Sequence, residues 1–221
     1  MRDFIGGMSL RRIPASRVAL ISAGAVLLAG VPLVLVHDVG SLSQHMLLHI
    51  LTMNVAAPIA AAWMIAAGAT RTVSPSWLWT IAVVQILALY FLHTPRFHVI
   101  AAHDQATSLA MHGVLAGLAL GFWTTLLSLG NTPRWHAPIV LLVTAKLACL
   151  LAALLIFSPR LLYAAIDHAG HAHVSLGDQH LAGLLMIVAC PLSYLSAAIL
   201  LTVDLIGPQH REASEIEHHA P

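Results

Sequence analysis

Six apolar runs, each close to the ~20 residues needed to cross the hydrocarbon of a bilayer, constrain this chain more than any other feature. They extend roughly over 18–36, 42–67, 76–92, 108–129, 137–157 and 179–206. Hydrocarbon offers no water to unpaired backbone N–H and C=O groups, so runs of this length are expected to be helices. The connections are short and punctuated by Gly68, Pro75, Pro95, Gly130, Pro133, Pro159 and Gly170, which leaves no space for a soluble module. The expected fold is therefore all-α: a polytopic membrane protein with six transmembrane helices in one bundle. Residues 1–17 form a basic cytoplasmic segment, 18–206 the transmembrane domain, and 207–221 a polar cytoplasmic tail. Composition agrees, since only 9% of residues are charged where a soluble chain carries roughly a quarter. The first run lacks a small-x-small cleavage site and reads as a retained helix rather than a signal peptide. Either Met1 or Met8 can serve as the start.

A net charge of +1 gives no electrostatic basis for binding nucleic acid, and the expected surroundings are lipid. Basic residues set the orientation. Six spans put both termini on one side, which collects Arg2, Arg11, Arg12, Arg17, Arg71, Arg134 and Arg211, against Arg96 and Arg160 on the other. The richer side is cytoplasmic. On that map His136, His210, His218 and His219 are cytoplasmic. The other eleven of the fifteen histidines lie at or near the outer side: His37, His45, His49, His93, His98, His103, His112, His168, His171, His173 and His180. Imidazoles are costly to bury in lipid, and their gathering on one side points to an outward metal or haem site.

Four groups can converge there. In the second span His45, His49 and Met53 fall four apart on one helical stripe, with Met46 beside His49. The third span ends in His93-Thr94-Pro95-Arg96-Phe97-His98, where Pro95 stops the helix. His103-Asp104 precedes the fourth span, which carries Met111-His112 in its first turns. The fifth connection holds His168, His171 and His173, and Asp178-Gln179-His180 opens the last helix, with Met186 two turns in. The expected ligands are His45, His49, His112 and His180 with Met46, Met53, Met111 and Met186, supported by Asp178, His93 and His103. Imidazole and thioether suit a soft or borderline ion, Cu(I) above all, whereas Mg²⁺ or Ca²⁺ would need carboxylates.

Each of these residues has a structural alternative. The His pair can be a buried polar pair, and the methionines can be packing. Asp178 can be the N-cap of the last helix or can bond the free ring nitrogen of a metal-bound His. Gln85 and Asn54 fit interhelical hydrogen bonding. Lys146 lies alone in the fifth span, equally open to a helix-contact or a functional role. Cys149 and Cys190 read as buried thiols, there being no Cys-x-x-Cys. Pro58 and Pro191 are expected to kink their helices.

Several motifs stand in a distinctive order: His45-Met46-x-x-His49 leading to Met53 and Pro58, His93-x-Pro95, Met111-His112 with Phe122-Trp123 downstream, Ser158-Pro159-x-x-Leu162-Tyr163, and Asp178-Gln179-x-x-Ala182-Gly183-Leu184-x-Met186. Together, over about 36–206, they resemble the CtaG family of caa3-type cytochrome c oxidase assembly factors. One departure is Ile187, where the family pattern often has Trp. The resemblance implies a non-enzymatic protein of the bacterial inner membrane that matures haem-copper oxidase, handling copper at the outer face and meeting an oxidase subunit or other assembly factors.

Two other readings stay open on the residues alone. His49 and His112 on facing helices can ligate haem b, making the chain a b-type haem-binding or haem-handling protein. A membrane di-iron oxygenase is a weaker fit, because its several His-His boxes are absent; the one His-His pair is His218-His219 in the tail.

Overall fold

The computed structural model describes residues 40–69, 72–129, 135–163 and 174–218, with backbone only from 204 onward. The 1–17 segment, the first apolar run and the loop carrying His168, His171 and His173 lie outside the described residues. The described chain is all-helical: α1 (Ser41–Ala66), α2 (Pro75–Leu92), the short α3 (Pro95–His103), α4 (Gln105–Leu127), α5 (His136–Phe157) and α6 (Leu176–His218). All but α3 contain a stretch long and apolar enough to cross a membrane. Their outward faces are apolar too, with Leu87, Leu109, Leu150, Phe157 and Leu200 exposed, as suits helices solvated by lipid.

Small residues let the helices approach closely. Ala57, Ala61, Ala119, Ala148, Ala152, Ala182 and Ala198 are buried between helices, as in bundles held by packing rather than by exclusion of water. One close approach is between α5 and α6. A Cβ on Gly183 would lie 2.7 Å from Ile156 Cγ1 and 2.9 Å from the Ala152 carbonyl oxygen, so only glycine fits there. The first half of α1 packs on α6 and its second half on α4, while α2 packs against α4 and α5.

Pro58 acts on α1 in a specific way. A π-helical turn, Thr52–Ala56, precedes it, and the Ala57 N–H bonds back to the Thr52 carbonyl. The Met53 carbonyl thereby loses Ala57 as donor, and the next residue, Pro58, has no N–H to give. Trp123 of α4 fills the gap, its indole Nε1–H donating to Met53 O at 2.9 Å. In α6 the helix continues through Gly207 and Pro208 to His218, where the sequence reading expected a tail from 207. Arg211-Glu212-Ala213 and the residues after them are good helix formers, and they extend the backbone already in place. Lys146 is exposed on the outer surface of α5, and Cys149 and Cys190 are free thiols.

Candidate metal centre

One end of the bundle gathers five imidazoles. His45 and His49 project from adjacent turns of α1, and His112 comes from α4. The start of α4 is set by Asp104, whose carboxylate accepts from the backbone N–H groups of Ala106 and Thr107. The Thr107 hydroxyl also donates to Asp104, and these bonds hold its carboxyl below the usual carboxylate range. His93 caps the C-terminus of α2, and His98 lies one turn into α3. The His45 ring centroid is 4.5 Å from that of His49, 4.7 Å from His112, 5.0 Å from His98 and 6.1 Å from His93. His49 stacks on His112 at 4.4 Å and lies 5.0 Å from His93.

The nitrogens are arranged for lone-pair donation. His45 Nε2 and His49 Nε2 are 3.0 Å apart, close enough to share either a proton or a cation. His93 Nδ1–H donates to the Leu89 carbonyl and His112 Nδ1–H to the Ser108 carbonyl, each at 2.7 Å. A carbonyl can only accept, so both rings carry a proton on Nδ1, and Nε2 is the nitrogen whose lone pair the neutral ring can offer. Among the described residues both of those Nε2 atoms are buried without a partner, as is Nδ1 of His98. A backbone carbonyl fixing the far nitrogen while the near one is left open is the usual support for a metal-bound His. One nitrogen from each of His45, His49 and His112 lies within 4.8 Å of the others.

The surroundings lock this arrangement. The Tyr163 hydroxyl donates to the His93 carbonyl at 2.7 Å, and its ring lies 4.6 Å from that of His98. Gln179 pins the segment that presents Tyr163: its Oε1 accepts from Leu162 N–H at 2.7 Å, and its Nε2–H₂ reaches the Leu155 and Arg160 carbonyls. Asp178 secures α1. Its carboxylate accepts from the backbone N–H of Leu42 and of Ser43, each at 3.0 Å, and from the Ser43 hydroxyl. A side chain on Gly40 would collide with it, a Cβ there lying 2.2 Å from Asp178 Cγ.

The predicted residues are thus divided. His45, His49 and His112 come together, and His93 belongs to the cluster itself. Met46, Met53 and Met186 line a cavity immediately inward of it, shared with His49 and His93. Met111 is buried on α4 but does not line that cavity. His103 is exposed at the end of α3, and His180 is half-buried on α6 without a ring contact to the cluster. Asp178 is not the N-cap of its own helix, a place taken by Ser175, whose Oγ accepts from the Asp178 N–H. Nor does it bond an imidazole, because its oxygens are committed to the start of α1. His98 and Tyr163 were not among the expected site residues. The signal for His98 was Thr94-Pro95, an N-cap followed by Pro at the first helical position. Such a pair starts a new helix as well as ending the old one.

Fold and site together define a polytopic membrane protein with a buried to half-buried histidine constellation at one end of its helices. The sequence profile described as cytochrome c oxidase caa3 assembly factor (Caa3_CtaG) matches residues 4–207. The chain belongs to that family of cytochrome c oxidase assembly factors. Neither a curated protein nor a solved structure matches it.

Proposed function

We propose that this protein holds Cu(I) at the outer face of a bacterial inner membrane and releases it to a subunit of cytochrome c oxidase, or to a partner assembly factor, during maturation. The observation that carries the reading is the set of three nitrogens, from His45, His49 and His112, within 4.8 Å of one another, with no carboxylate in the group among the described residues. A neutral donor set adds no charge of its own, so a monovalent soft ion can be held in a low-dielectric site and still be given up to a partner. His93 and His98 offer further nitrogens through which the ion can be passed without becoming free. No bond-making or bond-breaking step is assigned to the chain; its role is that of a carrier. Basic residues favour an orientation with both termini cytoplasmic and the histidine end outward.

The haem reading is less well supported. Two axial imidazoles need a macrocycle between them, and His49 lies directly on His112 with an interplanar angle of 12°.

The test is oxidase maturation in cells whose only copy carries His45→Ala with His49→Ala. Oxidase activity and the copper content of the oxidase should be lost, while the variant still inserts at normal abundance. Normal oxidase activity in that strain contradicts the proposal.

A further inference from the structure

The histidine cluster does not stand over a filled core. Inward of it, between α1, α2, α5 and α6, is a cavity roofed by His49 and His93. Its lining is rich in sulfur: Met46 and Met53 from α1, and Met186 and Cys190 from α6. All four are buried. Two amides share the same walls with unmet hydrogen-bonding capacity. Gln85 is 1% exposed and gives Nε2–H to the Tyr194 hydroxyl at 3.2 Å, which leaves its Oε1 without a partner. Asn54 reaches Cys190 Sγ through Nδ2 at 3.5 Å, and its Oδ1 is likewise unpartnered. A buried acceptor left open in an apolar interior is costly, and among the described residues neither oxygen has a partner, which leaves a place for an occupant that satisfies them.

We infer that this cavity is a second soft-metal site, distinct from the histidine cluster, in which Met46, Met53, Met186 and Cys190 bind Cu(I). The inference rests on the copper reading of the outer cluster for the identity of the ion, but on separate residues for the site. Thioethers and a thiol select a soft ion, and among the described residues no carboxylate lines the cavity to hold a hard one. Cys190 also resolves the charge. When the Sγ–H bond is replaced by a bond to Cu(I), the proton leaves to solvent, and thiolate and cation together carry no net charge into the membrane. Asn54 and Gln85, each with an amide oxygen unpartnered among the described residues, line the same cavity. His49 and His93 line the cavity and belong to the outer cluster, so the two sites share a boundary across which an ion moves by ligand exchange.

The experiment is Cu(I) titration of the detergent-purified full-length protein against a chromophoric chelator, with X-ray absorption of the loaded protein. Wild type is expected to bind two equivalents, with both nitrogen and sulfur scatterers in the copper shell. Met186→Leu with Cys190→Ser should lose one equivalent and the sulfur signal. Leu matches Met in volume, and retention of the nitrogen-bound equivalent reports that the variant is folded. His45→Ala with His112→Ala should lose the other equivalent and keep the sulfur-bound one. One equivalent with nitrogen ligands alone in wild type overturns the inner site and leaves the outer reading standing. A sulfur-bound equivalent without any nitrogen-bound one supports the inner site and overturns the outer. Absence of copper from wild type overturns both.

Discussion

Burial of an imidazole at the edge of the membrane has a consequence at the level of single residues. His98 is 8% exposed, and burial holds its ring below its ordinary value of 6.5. The unfolded chain therefore takes up more protons than the folded one as pH falls below that value. The stability that depends on neutral His98 is fully present above about pH 6.5 and is lost progressively on acidification. The metal-free protein should melt at a lower temperature at about pH 5 than at about pH 7.5. His98→Gln, which does not titrate, should reduce that difference, and an equal acid-induced drop in both proteins would show that His98 is not a neutral buried group. The same proton competes with metal for any imidazole lone pair, so loading weakens in the same direction. His98 also marks a limit of reading residues singly. His45 and His49 could be paired from their spacing alone, because a helix puts positions four apart on one face. The place of His98 depends on a chain reversal at Thr94-Pro95 and on the Tyr163 ring that meets it, and these come from parts of the sequence far from the stripe.

Element by element, the site is positioned by contacts that repair interrupted helices. The Met53 carbonyl, left without a donor by the π turn and Pro58, is taken by Trp123 at 2.9 Å. Trp123→Phe keeps most of the ring but leaves that carbonyl unpaired, and should destabilise the protein by about 1–3 kcal/mol. Thermal unfolding in detergent measures this, and an unchanged melting temperature would mean that the bond contributes nothing. Gly183 is a second such point. Gly183→Ala places a methyl against the Ala152 carbonyl, a backbone atom that cannot swing away, and should cost about 1–3 kcal/mol. If the variant melts like wild type, the two helices are not as close as described. The five described spans were legible in the sequence because apolar length alone specifies them. Pro58 was legible as an interruption of α1, but its form, a π turn answered by an indole from α4, is set by a neighbour that helix periodicity does not identify. Asp178 was legible as a capping residue. That it caps α1 rather than its own helix follows from the packing of α6 on α1 and from the absence of a side chain at Gly40.

At the scale of the whole molecule, a surface of leucines faces lipid while polar side chains collect at one end of the bundle and in the cavity beneath it. That partition explains why so small a number of charges suffices. For the proposed copper carrier it supplies neighbouring nitrogen and sulfur donor sets, each lined by residues from several helices, so that no single span could form them. The measurement that tests this account most directly is copper content with an ultraviolet-visible spectrum on purified protein loaded with Cu(I) under reducing conditions, for wild type and for His45→Ala with His49→Ala. The account predicts bound copper and no Soret band in wild type, with the nitrogen-ligated ion lost in the double variant. A Soret band, or full retention of nitrogen-ligated copper by the double variant, would contradict it.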